Sequence, residues 1–109
     1  MAKPNYNTMT VKLLRAEGWP LVEVVERWDS FSRRRHDLFT IFDVLAVGPA
    51  GTLGVQMTSR GNMASRRRKI AEYEHIGAIR EAGWGIRLLG FDQPKGPRTA
   101  WRIKTEELS

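Results

Sequence analysis

The chain has 109 residues, which allows one domain with a modest core and excludes two. A hydrophobic content of 41%, including four Trp, four Phe and two Tyr, argues against disorder away from the ends, and no apolar stretch approaches bilayer length. The absence of cysteine excludes disulfides and thiolate metal centres, and two histidines disfavour zinc. Any metal is therefore expected to be a hard cation held by oxygen, with magnesium the leading candidate and manganese a substitute, while 18 Lys+Arg against 12 Asp+Glu give +6 and favour a polyanionic partner.

The opening Met1-Ala2-Lys3-Pro4-Asn5 has no hydrophobic segment of the signal-peptide kind, so a cytoplasmic location without membrane contact is expected. Helical spacing of Met9, Val11, Leu13, Leu14 and Ala16 predicts a first helix over 8–17, with Asn7 or Thr8 as cap and Gly18 as stop. A strand with one wet face follows over 21–28, and 29–37 reads as a loop or irregular strand entrance carrying the first arginine cluster. Residues 38–47 are apolar on both alternating sets, as in a central strand covered on two sides. The turn chemistry of Gly48-Pro49-Ala50-Gly51 predicts antiparallel pairing with a strand over 52–59, whose Leu53, Val55 and Met57 share one face and Gly54, Gln56 and Thr58 the other.

A second helix is expected from a cap at Asn62 to Gly83, with Ile70, Tyr73 and Ile76 or Ile79 inward and a break at Gly77. A strand over 86–89, a loop over 92–97, a short edge strand over 100–103 and fraying over 104–109 complete the chain. The expectation is a single α/β domain over 1–109, its core about 8–103. A mixed central sheet is flanked by helices in the order α-β-β-β-α-β, with an extra C-terminal edge strand.

The positive charge is clustered. Arg33, Arg34 and Arg35 form one group, and Arg60 with Arg66, Arg67, Arg68 and Lys69 a second. Arginine's planar fork suits phosphate, so these residues are the expected contacts to nucleic acid, DNA preferred; a solvated charged face or a patch for acidic protein or anionic lipid would share the composition. Trp28 beside the first cluster is a candidate for base stacking, whereas His36 and His75 have no metal-site spacing.

Asp43 is the anomaly of the central strand, because a carboxylate buried among apolar residues costs several kcal/mol unless it is paired, hydrogen-bonded or metal-bound. It could accept backbone N–H groups or pair with an arginine as a structural group. It could also join the Gln56 carbonyl as a ligand to one magnesium ion, with Thr58 two residues further along the same face. Asp37, Glu23 and Glu26 are additional carboxylates, Glu26 reading more simply as an exposed strand residue beside Arg27.

The run Asp43-Val44-Leu45-Ala46, a turn, and then Gly54-Val55-Gln56-Met57-Thr58 resembles the PD-(D/E)XK nuclease superfamily, in particular its small Holliday-junction-resolvase-like members. The thirteen residues from Asp43 to Gln56 match its compact members. The resemblance implies a restriction-endonuclease-like core and a magnesium-dependent endonuclease acting on structured DNA, as a homodimer. Asp43 and Gln56 would be the metal ligands and Thr58 would orient water. Gln56 stands where glutamate is usual and Thr58 where the catalytic lysine is usual; Lys69, or Arg60, is the expected replacement cation. A catalytically inactive relative, keeping only DNA or partner binding, is the alternative.

Overall fold

The computed structural model describes residues 6–92 and 101–109. Helix α1, Tyr6–Ala16, takes in Asn7 and Thr8, so both lie inside the helix rather than at its cap. The chain leaves the helix at Glu17 and Gly18 and enters β1, Leu21–Val24.

The strand expected over 21–28 is interrupted at Val25 and Glu26, whose N–H groups both donate to the Asp43 carbonyl, at 2.9 and 3.2 Å. That shared acceptor turns the chain out of the sheet. It resumes as β2, Arg27–Asp29, which pairs antiparallel with β3, Arg34–His36, so the arginine-rich segment expected as a loop is a separate two-stranded hairpin.

The central strand expected over 38–47 begins only at Val44, as β4, Val44–Gly48. Residues 38–42 instead make a tight reversal: Leu38 and Phe42 exchange backbone hydrogen bonds at 2.9 Å, and Phe39 and Thr40 adopt φ of 53° and 64°. Non-glycine residues pay for that left-handed geometry. The return is burial, because the reversal delivers Ile41 and Phe42 into an apolar cluster.

Pro49 and Ala50 connect β4 to β5, Gly51–Ser59, in the expected antiparallel pair, and Gly51 at φ 117° supplies the conformation this turn needs. The helix expected over 62–83 is two helices, α2, Met63–Ala71, and α3, Ile76–Glu81, preceded by a 3-10 turn at Arg60–Asn62. The break falls at residues 72–75, not at Gly77, and Asn62 occupies the cap position without a side-chain capping bond. Strand β6, Gly85–Asp92, runs beyond the expected 86–89. Most of the loop expected over 92–97 lies outside the described residues. The last strand, β7, is Arg102–Glu107, so most of the segment expected to fray is a regular sheet edge.

The main sheet has the order β1-β4-β5-β6-β7, antiparallel except for the parallel β5/β6 pair that α2 and α3 connect. The chain is therefore α/β with a mixed sheet flanked by helices. Leu14 of α1 packs with Val44, Leu53, Val55, Met57, Leu89 and Phe91 on one face. Ile70 and Ile79 of α2 and α3 pack with Ile41, Phe42 and Ile86 on the other. The alternation read for β5 holds: Leu53, Val55 and Met57 face α1, which leaves Gly54, Gln56 and Thr58 toward α2. The Phe42 ring packs closely against Gly54, where a Cβ would fall 2.5 Å from it. No described helix is long and apolar enough to cross a membrane.

Candidate metal centre and basic surface

Hairpin register brings the first two acidic residues together. Arg27 pairs with His36, so the next residues outward on the two strands are Glu26 and Asp37. The reversal after Asp37 then brings the chain back to Asp43 just ahead of β4, and one carboxylate oxygen from each of Glu26, Asp37 and Asp43 lies within 4.8 Å of the other two. Glu26 and Asp37 are half-buried and line an open cleft of about 540 Å³ with Val25, Arg27, His36 and Phe39; Asp43 is buried.

Asp43 and Gln56 meet as the sequence suggests, but through the other end of the amide. Gln56 Nε2 donates to Asp43 Oδ2 at 2.8 Å, and the Met57 N–H donates to the same oxygen at 2.8 Å. Gln56 Oε1, expected as the metal ligand, is buried without a hydrogen-bond partner among the described residues. Burial is the main force on the Asp43 carboxyl and pushes it up to about 8, reinforced by the nearby Asp37 charge and opposed by the Met57 and Gln56 hydrogen bonds. In place of the expected Asp43–Gln56 ligand pair, the structure groups three carboxylates, with the Gln56 amide hydrogen-bonded to the buried one.

Thr58 is buried on the same face as Gln56, two residues along and opposite Gly90 of β6. It is not one of the clustered groups. Lys69, from α2, reaches the cluster: its Nζ lies 4.0 Å from Asp37 Oδ2. Arg60 does not, being ion-paired with Asp92 at 3.6 Å at the end of β6.

The basic residues divide by what they touch. Arg35 is bonded to Glu26, so it belongs to the acidic cluster. Arg67 holds Glu106 of β7 through two hydrogen bonds, one at 2.7 Å, which lowers the Glu106 carboxyl. Of the two sequence clusters, Arg33, Arg34, Arg66 and Arg68 form no ion pair among the described residues and are free to meet an external anion.

Asp37, expected only as an additional carboxylate, and Glu26, which reads from sequence more simply as an exposed strand residue, carry the rest of this geometry. The usable signal was the hairpin: once 27–36 is read as two paired strands rather than a loop, the acids immediately outside it must oppose each other. Comparison with family models, with characterised proteins and with solved structures gives no match to this chain.

Proposed function

We propose that the chain is a small magnesium-dependent endonuclease acting on structured DNA, built on a restriction-endonuclease-like core. The observation that carries this reading is the convergence of Glu26, Asp37 and Asp43, each with an oxygen within 4.8 Å of the others, on a chain whose arginines Arg33, Arg34, Arg66 and Arg68 have no acidic partner among the described residues. The donor set suits a hard cation: three carboxylates, beside which the Gln56 amide, its oxygen without a partner among the described residues, would turn that oxygen to the ion. Bound there, magnesium or manganese supplies Lewis-acid polarisation of a phosphodiester and a more acidic water. Lys69, beside Asp37, would supply the positive charge that the resembling family takes from a lysine at the position of Thr58, and the unpaired arginines would hold flanking phosphates. Two symmetric cuts at a junction require two such sites, so a homodimer on DNA is part of the reading.

The test is incubation with linear, flapped and four-way DNA in magnesium, manganese or EDTA. Cleavage of branched substrates in either metal, absent in EDTA and lost in Asp43→Ala and Asp37→Ala while binding persists, supports the enzyme. A second reading, a DNA-binding module without cleavage, is favoured by the two hydrogen bonds that already engage Asp43 Oδ2. Binding that survives Asp43→Ala, with no product in any metal, selects it.

A further inference from the structure

The β2–β3 hairpin stands outside the main sheet, and its tip carries Phe31, which is 98% exposed. A phenylalanine so placed contributes nothing to the core. Its backbone is nonetheless held firmly. Asp29 Oδ1 accepts the Phe31 N–H at 2.9 Å, the Asp29 carbonyl accepts the Arg33 N–H at 2.8 Å, and Arg33 closes the turn at φ 58°. Below the tip, His36 Nε2 lies 3.0 Å from Ser32 Oγ and 3.3 Å from Asp29 Oδ2, tying the far strand to the turn. The ring is thus presented on a braced support, which limits the ordering entropy that binding must overcome.

The surroundings decide what the ring meets. Between residues 27 and 36 the hairpin carries Arg27, Arg33, Arg34 and Arg35 against one acid, Asp29, which the turn and His36 already occupy. Arg33 and Arg34, next to the tip, and Arg27, at the base of the arm, have no acidic partner among the described residues, so the aromatic tip stands on an arm whose cations await anions. Trp28, 61% exposed, adds a second ring on the same arm. An apolar protein groove would satisfy Phe31 alone and an anionic lipid surface would meet the arginines as well, but nucleic acid sets phosphates for the guanidinium groups beside flat base faces for the exposed rings, in the mixture the arm carries.

We infer that the hairpin is a wedge whose Phe31 stacks on an exposed base at a break in the duplex, such as a branch point, while Arg33 and Arg34 grip the adjoining phosphates. Apolar side chains inserted at base steps act in this way, and an interrupted stack removes most of the unstacking cost. This inference rests on the nucleic-acid part of the proposed function and not on cleavage.

The experiment measures binding in EDTA, where no cutting occurs, by anisotropy on a four-way junction and on a linear duplex of equal length, with 2-aminopurine at the branch as a second reporter. Phe31 is exposed, so Phe31→Ala leaves the fold intact, which circular dichroism checks. The wedge predicts that Phe31→Ala loses about tenfold in junction affinity with little change on the duplex, that the 2-aminopurine change seen with the native chain disappears, and that Phe31→Trp restores both. Arg33→Ala with Arg34→Ala weakens both substrates and flattens the salt dependence. Equal affinities of native chain and Phe31→Ala for the junction overturn the wedge. So does a parallel loss on both substrates, or a change in oligomeric state or vesicle binding without a junction-specific effect. Cleavage that persists in Phe31→Ala with unaltered junction affinity removes the wedge and spares the nuclease; a junction-specific loss in a protein that never cleaves does the reverse.

Discussion

Asp43 and Gln56 are joined at 2.8 Å by a hydrogen bond from the amide to a carboxylate that is only 4% exposed. The bond is short of full compensation, because burial still holds the Asp43 carboxyl at about 8 against an ordinary 3.8. The folded protein therefore keeps a proton that the unfolded chain releases. Stability falls as pH rises from about 4 to about 8, and is level above that range. Asp43→Asn removes this slope. Urea unfolding without metal at pH 5 and pH 8 checks it: the native chain loses stability relative to the Asn variant as pH rises, and parallel curves would refute the assignment.

A cation at Glu26, Asp37 and Asp43 must displace that proton, so metal binding is tied to pH. Magnesium or manganese affinity is expected to weaken about tenfold for each pH unit below about 8, with one proton released per ion in calorimetry. Gln56→Glu adds a fourth carboxylate at the buried amide. Cation affinity should rise and metal-free stability fall, since another charge is desolvated beside Asp43. An unchanged affinity would remove Gln56 from the ligand set.

Gly54 positions this site indirectly, because the Phe42 ring occupies the space of its missing side chain and Phe42 immediately precedes Asp43. Gly54→Ala forces the ring away from the sheet at a cost of about 1–3 kcal/mol, typical of an overpacked core. The Asp43 contact to Gln56 shifts with it. Metal affinity should therefore drop together with the unfolding midpoint, whereas loss of stability alone would show that Asp43 is held independently of Phe42.

The sequence revealed the parts of the fold governed by local pattern. Alternation along β5 and the Gly48 to Gly51 turn located the hairpin that carries Gln56, and the unusual carboxylate in an apolar run singled out Asp43. What stayed hidden depends on contacts remote in sequence. The run 38–47 has the hydrophobicity of a strand throughout, but Leu38 and Phe42 bond to each other and Ile41 and Phe42 are drawn under α2 and α3, so only its second half joins the sheet. Glu26 looked like an exposed strand residue because nothing nearby in sequence shows that Asp43 lies beside it. Residues 104–109 are polar enough to suggest a loose end, yet their neighbours across β6 include arginine and buried backbone that only the assembled sheet supplies.

Lys69 and the arginines should separate cleanly by assay. If Lys69 supplies charge at the reacting phosphate, Lys69→Ala cuts the rate of DNA cleavage by about 100-fold or more with binding within a few-fold, and Lys69→Arg recovers part of it. Arg66→Ala and Arg68→Ala instead lower affinity on every substrate, each reducing the slope of log affinity against log salt by about one. A rate loss from the arginines with unchanged salt dependence would contradict this division.

Strand β7 offers a prediction that opposes the expectation of a frayed end. It pairs with β6 from Arg102 to Glu107, and beyond it the Leu108 N–H donates to the Ile86 carbonyl at 2.7 Å while the Ile86 N–H donates to Ser109 Oγ at 2.8 Å. Arg87, on β6, is gripped by Glu107 at 2.6 Å and by Glu17 at 2.9 Å, so the same residue ties the edge strand to the end of α1. Removing residues 104–109 would strip the ladder from one side of β6, leave buried backbone groups near Leu88 and Leu89 unpaired, and expose an apolar edge open to pairing with another chain. The truncated protein should unfold or aggregate under conditions where the full chain is folded. Glu107→Ala alone should be milder, since Arg87 keeps Glu17. Thermal melts and light scattering decide it: a truncated chain that melts cooperatively at the native temperature would show that β7 is an ornament on the sheet and not a part of it.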